Sequence, residues 1–220
     1  MPAAPVVVPR ELTARESHPI VAKAKATLAR KFKPTRSAAI DGGVTTCWYL
    51  VALDRGDEAR ALARQLGAAV TFDGNHALWS PAADALCLAA RLARGARAAN
   101  EARALVQRLV DNPAFAVMPE RDLREWVGRA AADLADAREE TSATWARNGA
   151  LASLQRACYF RETAGHGFYY DAWIETAALD AVIAGGLDLL RTHLAVKGPK
   201  AKPKPTSKAK PKPSSKPRSQ

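Results

Sequence analysis

Apolar residues recur along this chain at intervals of three and four, the period of a helix with one buried face. Ile20, Ala24, Leu28 and Phe32 form the first such stripe, and they predict a helix from Pro19 to Phe32 that Lys33-Pro34-Thr35 ends. A second helix is predicted from about Ser37 to Arg55, apolar through Cys47, Trp48, Leu50, Val51 and Leu53. Gly56 is suited to the left-handed turn after it, and Asp57 to the N-cap of a third helix, Glu58 to about Gly67. Ser80-Pro81 opens a fourth helix that runs to about Arg94, because proline is tolerated where the first N–H groups lack partners anyway. The fifth spans about Ala98 to Asp111.

The strongest pattern follows Pro119-Glu120, where Leu123, Trp126, Val127, Ala130, Leu134 and Ala137 share one face and Arg121, Arg124, Asp133 and Asp136 stand off it. A seventh helix starts near Thr141 or Ser142 and carries Trp145, Leu151, Leu154, Cys158 and Tyr159 toward Arg161, ending in a Gly165-His166-Gly167 turn. Asp171 is a plausible N-cap for the last, with Leu179, Val182, Ile183, Leu187, Leu190 and Leu194 on one side. Gly185-Gly186 costs that helix roughly 1 kcal/mol per residue relative to alanine, which predicts close helix packing or a local break. No run of alternating β-branched residues competes, so the expected fold is all-α, about eight helices in antiparallel hairpins.

Within this pattern Glu58-Ala59-Arg60-Ala61-Leu62 recurs 43 residues on as Glu101-Ala102-Arg103-Ala104-Leu105, each copy preceded by an apolar helix and a glycine-bearing turn. The segment Trp48 to Leu66, with its Trp/Leu-rich first helix, Gly-Asp turn and Ala-rich second helix, resembles a tetratricopeptide-like helix pair. The resemblance covers residues 48–112, departs from that family's 34-residue period and lacks its usual Gly and Pro offsets. It implies a protein-interaction scaffold built as a helical repeat; an irregular helical array is the other form the pattern allows.

Charge divides the chain. Lys197 to Arg218 holds eight lysines and one arginine with no acid, and removing them from the formal +11 leaves +2 for residues 1–196. The expected organisation is a flexible leader over 1–15, a helical domain over 16–196 and a disordered Lys/Pro-rich tail over 197–220. Cys47, Cys87 and Cys158 sit far apart inside apolar runs and read as small buried hydrophobes of a reducing compartment. With Val6-Val7-Val8 too short for a signal peptide and no apolar window near the roughly 18 residues of a membrane span, the expected location is the cytoplasm and no membrane contact is expected.

Two segments gather unusual side chains. One holds Phe72, Asp73, His76 and Trp79, and the other Arg161, Glu162, His166, Tyr169, Tyr170 and Trp173. Aromatic residues beside an arginine are common interface anchors, so these ten are candidates for a pocket or partner surface if both segments fall at one end of the bundle; the alternative is that Phe72, Trp79, Phe168 and Trp173 seal the core where the helices turn. Glu162, His166 and Asp171, with His76 nearby in kind, are the material of a metal-dependent enzyme. No nucleophile elbow or phosphate-cradling glycine loop accompanies them, and no cofactor is expected.

The tail resembles the Lys/Pro/Ala tails of linker histones and basic bacterial chromosomal proteins. Lys200, Lys202, Lys204, Lys208, Lys210, Lys212, Lys216 and Arg218 would neutralise phosphates of DNA or RNA without reading sequence. Three functions therefore stand: a non-catalytic interaction domain with another protein as partner, such as a bacterial immunity or accessory protein; a nucleic-acid-associated protein held by its tail; and the metal-dependent enzyme.

Overall fold

The computed structural model describes residues 37–72, 79–112, 123–164 and 176–195, with the isolated helical positions 19, 22 and 26. Among the described residues there are seven helices and no strand: α1 (Ser37–Ala52), α2 (Gly56–Ala69), α3 (Trp79–Leu92), α4 (Ala98–Val110), α5 (Leu123–Glu139), α6 (Ala143–Thr163) and α7 (Thr176–Ala195). They correspond to the second through eighth predicted helices. The first predicted helix is described only at Pro19, Ala22 and Ala26, and the leader and the tail lie outside the described residues. None of the described helices is long and apolar enough to cross a membrane.

The turn between α1 and α2 falls two residues earlier than the sequence suggests. Asp54, not Gly56, takes the left-handed conformation at φ 59°, and Gly56 instead opens α2. Asp is one of the few residues that visits this region readily. The bonds Arg55 N–H to Leu50 O (2.8 Å) and Asp54 N–H to Val51 O (3.1 Å) complete a Schellman cap, which satisfies carbonyls that the helix end leaves open. Asp57 accordingly sits inside the first turn of α2, where its negative charge complements the helix dipole, and makes no side-chain cap.

Small residues bring the helices together. A Cβ on Gly43 of α1 would lie 2.7 Å from a methyl of Leu66 in α2, and one on Gly149 of α6 would lie 2.9 Å from the Cβ of Ala137 in α5. The glycine pair in α7 marks close packing and no break: a Cβ on Gly185 would meet Leu134 of α5 at 2.7 Å, and one on Gly186 would meet Leu154 of α6 at 2.7 Å. α7 thus lies against α5 and α6 at once. One continuous core results, running from Ile40, Trp48 and Leu50 through Leu62, Leu66, Leu86 and Leu88 to Leu154, Leu179 and Leu190.

α6 corrects one expectation. Trp145 is 70% exposed, because the face that packs is set by Ala146, Ala150, Leu154 and Ala157, one position out of phase with it. The buried hydroxyls of α6 turn inward on their own helix: Ser153 donates to Gly149 O (2.9 Å) and Thr163 to Tyr159 O (2.8 Å). At the far end of α1, Arg191 of α7 donates to Ala52 O at 3.2 Å and pairs with Asp54 at 3.5 Å, clasping the turn after α1 to the last described helix.

Candidate functional site

α3 and α6 run in the same direction, with Cys87 beside Tyr159 and Arg91 beside Glu162. Their last turns therefore end together, and α7 delivers Asp180 to the same place. Arg91 donates to Glu162 Oε1 and to Asp180 Oδ1, each at 3.2 Å, and Arg161 donates through Nε to both oxygens of Asp180 at 3.3 Å. Two arginines and two acids form one half-buried network across three helices. Burial pushes the Glu162 carboxyl above the usual range, and Arg91 and Arg161 work against that shift.

Beside this network lies a cleft of about 640 Å³ between α1, α3, α4, α6 and α7. Its apolar lining is Val51 and Leu187, part-buried, over the buried Trp48 and Ile183, and its room comes from alanines: Ala90 and Ala93 by the end of α3, and Ala98, Ala99 and Ala102 on α4. Arg94 stands at the margin. It donates to Arg91 O (3.2 Å) and Ala93 O (2.8 Å), capping the end of α3, and no carboxylate pairs with it among the described residues. Gly95, at φ 99°, then turns the chain toward α4, a conformation that a side chain would strain. With Arg91 and Arg161 matched by Glu162 and Asp180, the lining carries one unmatched positive charge.

The cysteines near the site behave as packing groups. Cys87 and Cys158 are buried and free, and burial pushes both thiols well above their ordinary range, with Glu162 adding to the effect on Cys158. Neither supplies a thiolate at neutral pH. Cys47 is likewise buried, its thiol 3.6 Å from Ala59 O. Trp48 is 2% exposed, and its indole N–H is enclosed with no hydrogen-bond partner among the described residues.

Of the residues singled out from sequence, Arg161 and Glu162 are brought together in the cleft. Phe72 is not brought to them: it follows α2, packs half-buried on the core, and precedes the start of α3, while Glu162 lies at that helix's finish. Trp79 is the first residue of α3. Asp73, His76, His166, Tyr169, Tyr170, Asp171 and Trp173 lie outside the described residues, as do Lys200, Lys202, Lys204, Lys208, Lys210, Lys212, Lys216 and Arg218. Among the described residues no group of three metal-ligating side chains comes together, and Glu162 is engaged by Arg91.

Sequence reasoning missed Arg91, Arg94 and Asp180. The available signal was a single charge inside an otherwise apolar run, as in Ala-Arg-Leu at 90–92 and Leu-Asp-Ala at 179–181. No family model, curated protein or solved structure matches this chain.

Proposed function

We propose that the protein is a non-catalytic α-helical interaction domain, working in the cytoplasm, whose recognition site is the arginine-lined cleft where α3, α4, α6 and α7 meet, with another protein as its partner. The observation that carries this reading is the cleft's make-up: an apolar wall and alanine-lined room beside arginines, the combination that anchors interfaces. Its acids are engaged in ion pairs and its neighbouring thiols are protonated, which suits holding a ligand better than transforming one.

The spacing of the helices supports the same reading. α1 and α3 open at Ser37 and Trp79, α2 and α4 at Gly56 and Ala98, so two helix pairs follow one another at a spacing close to that of the repeated pentapeptide. Arg64 of α2 pairs with Glu101 of α4 at 2.7 Å, an exposed link between the second helices of the two pairs.

The test is capture from the native lysate with the full chain as bait, alongside Ala99→Trp, which fills the cleft from an exposed position. A protein held by the wild type and lost by a variant with unchanged melting is expected. Equal capture by both would dismiss the cleft as the recognition site. The charge of residues 197–220 favours a second reading, non-specific nucleic-acid attachment; an electrophoretic shift retained in full by residues 1–196 would remove it.

A further inference from the structure

We propose that the cleft receives the carboxylate-bearing end of an apolar peptide segment, a chain terminus whose last side chain is hydrophobic; this rests on the interaction reading above and names the chemistry of what enters. Three features of the cleft point to it.

The first is charge. Arg91 and Arg161 are matched by Glu162 and Asp180, so an incoming anion there would compete with carboxylates already in place. Arg94 is different: its contacts are the carbonyls of Arg91 and Ala93, through one terminal nitrogen. A planar guanidinium has five N–H donors, so the donors left over suit the two oxygens of a carboxylate. An incoming amine would find no unengaged acid in the lining.

The second is shape. A volume of about 640 Å³ admits one large apolar side chain with its flanking peptide units, within the usual range for ligand sites. Val51 and Leu187, both part-buried, offer that side chain an apolar surface, with Trp48 and Ile183 buried behind them. The third is the alanine lining. Ala98, Ala99 and Ala102 on α4 keep their side of the cleft low, so an extended segment can lie across the α4 backbone with its end beside Arg94. A lysine-rich segment such as residues 197–220 has the wrong charge and no large apolar side chain to place there.

The experiment uses the full chain, labelled with ¹⁵N, and two probes: acetyl-Ala-Leu-Phe with a free C-terminal carboxylate, and the same peptide as its C-terminal amide. The indole N–H resonance of Trp48, assigned with Trp48→Phe, reports on the cleft. The acid is expected to shift it and to bind at least about tenfold more tightly than the amide, the factor appropriate to one charge-assisted contact. Arg94→Gln should erase that preference, Arg94→Lys should keep part of it, and the preference should shrink between low and moderate salt.

Equal binding of acid and amide, an acid preference that survives Arg94→Gln, or no shift with either probe at several millimolar would overturn the proposal. The arms separate it from the function it rests on. A partner captured by the wild type and lost by Ala99→Trp, with both peptides inert, would leave the interaction reading standing and remove this one. Loss of the partner-capture difference would remove the reading itself.

Discussion

The two ends of α3 treat charge in opposite ways. At the last turn Arg91 stands between Glu162 and Asp180, and each acid keeps a cationic partner. In the second turn Asp84 faces Asp41 of α1, and its carboxyl is pushed up to about 7, first by burial and then by that second acid. The Asp41 carboxyl is raised as well, by burial. One helix thus shows both ways in which a folded chain tolerates an enclosed acid: supply a counter-charge, or let the group take up a proton. The first builds a paired network across three helices, whereas the second ties stability to pH.

The contrast breaks most sharply at Arg91. Arg91→Met leaves Glu162 and Asp180 with fewer partners and should lower the unfolding free energy by about 3 kcal/mol at pH 7, read from urea midpoints. The loss should shrink as pH falls, because burial already raises the Glu162 carboxyl and removing Arg91 takes away a charge that opposes that shift. An unchanged midpoint would mean that this end needs no counter-charge.

Asp84→Asn should do the reverse and stabilise the protein. The folded value near 7 lies above the ordinary 3.8, so the native state holds a proton that the unfolded chain releases. Wild-type stability therefore falls as pH rises from about 4 to about 7 and levels off beyond. Asparagine does not titrate, so the gain should grow across that window to about 2 kcal/mol at pH 8, allowing for partial solvent access. Thermal melts at pH 5 and pH 8 measure it, and an equal gain at both would sink the linkage.

Two smaller changes sharpen the comparison. Asp41→Asn removes the secondary cause of the Asp84 shift and should move its titration toward acid, with roughly 0.5 kcal/mol gained at pH 8; carboxyl ¹³C shifts followed against pH would show it. Arg161→Met removes a partner from Asp180, which retains Arg91, and the cost should stay below about 1 kcal/mol by urea denaturation.

The helices were legible because their stripes are strong: Ala130, Leu134 and Ala137 of α5 and Leu179, Val182, Ile183, Leu190 and Leu194 of α7 are buried as the spacing predicts. The turn at Asp54 was not, since aspartate and the nearby glycine both accept the left-handed conformation and the Schellman bonds decide between them. Trp145 misled because residue size outweighed phase; the packing face of α6 is largely alanine, and alanines at helical spacing look like any helix-forming filler. The cleft was half visible. Arg161 and Glu162 stood out locally, but Arg91 and Asp180 are 89 residues apart in sequence, and only the packing of α3, α6 and α7 makes them neighbours.

The clasp of Arg191 on the turn after α1 has a consequence for synthesis. The first described helix emerges from the ribosome long before the last, and its Trp48 and Val51 side must wait for Ile183 and Leu187 to arrive. A nascent chain ending short of α7 carries that greasy flank uncovered, a target for chaperones and for proteolytic clearance. The arginine that latches the turn after α1 lies in the last described helix, so this contact forms only once α7 has been made.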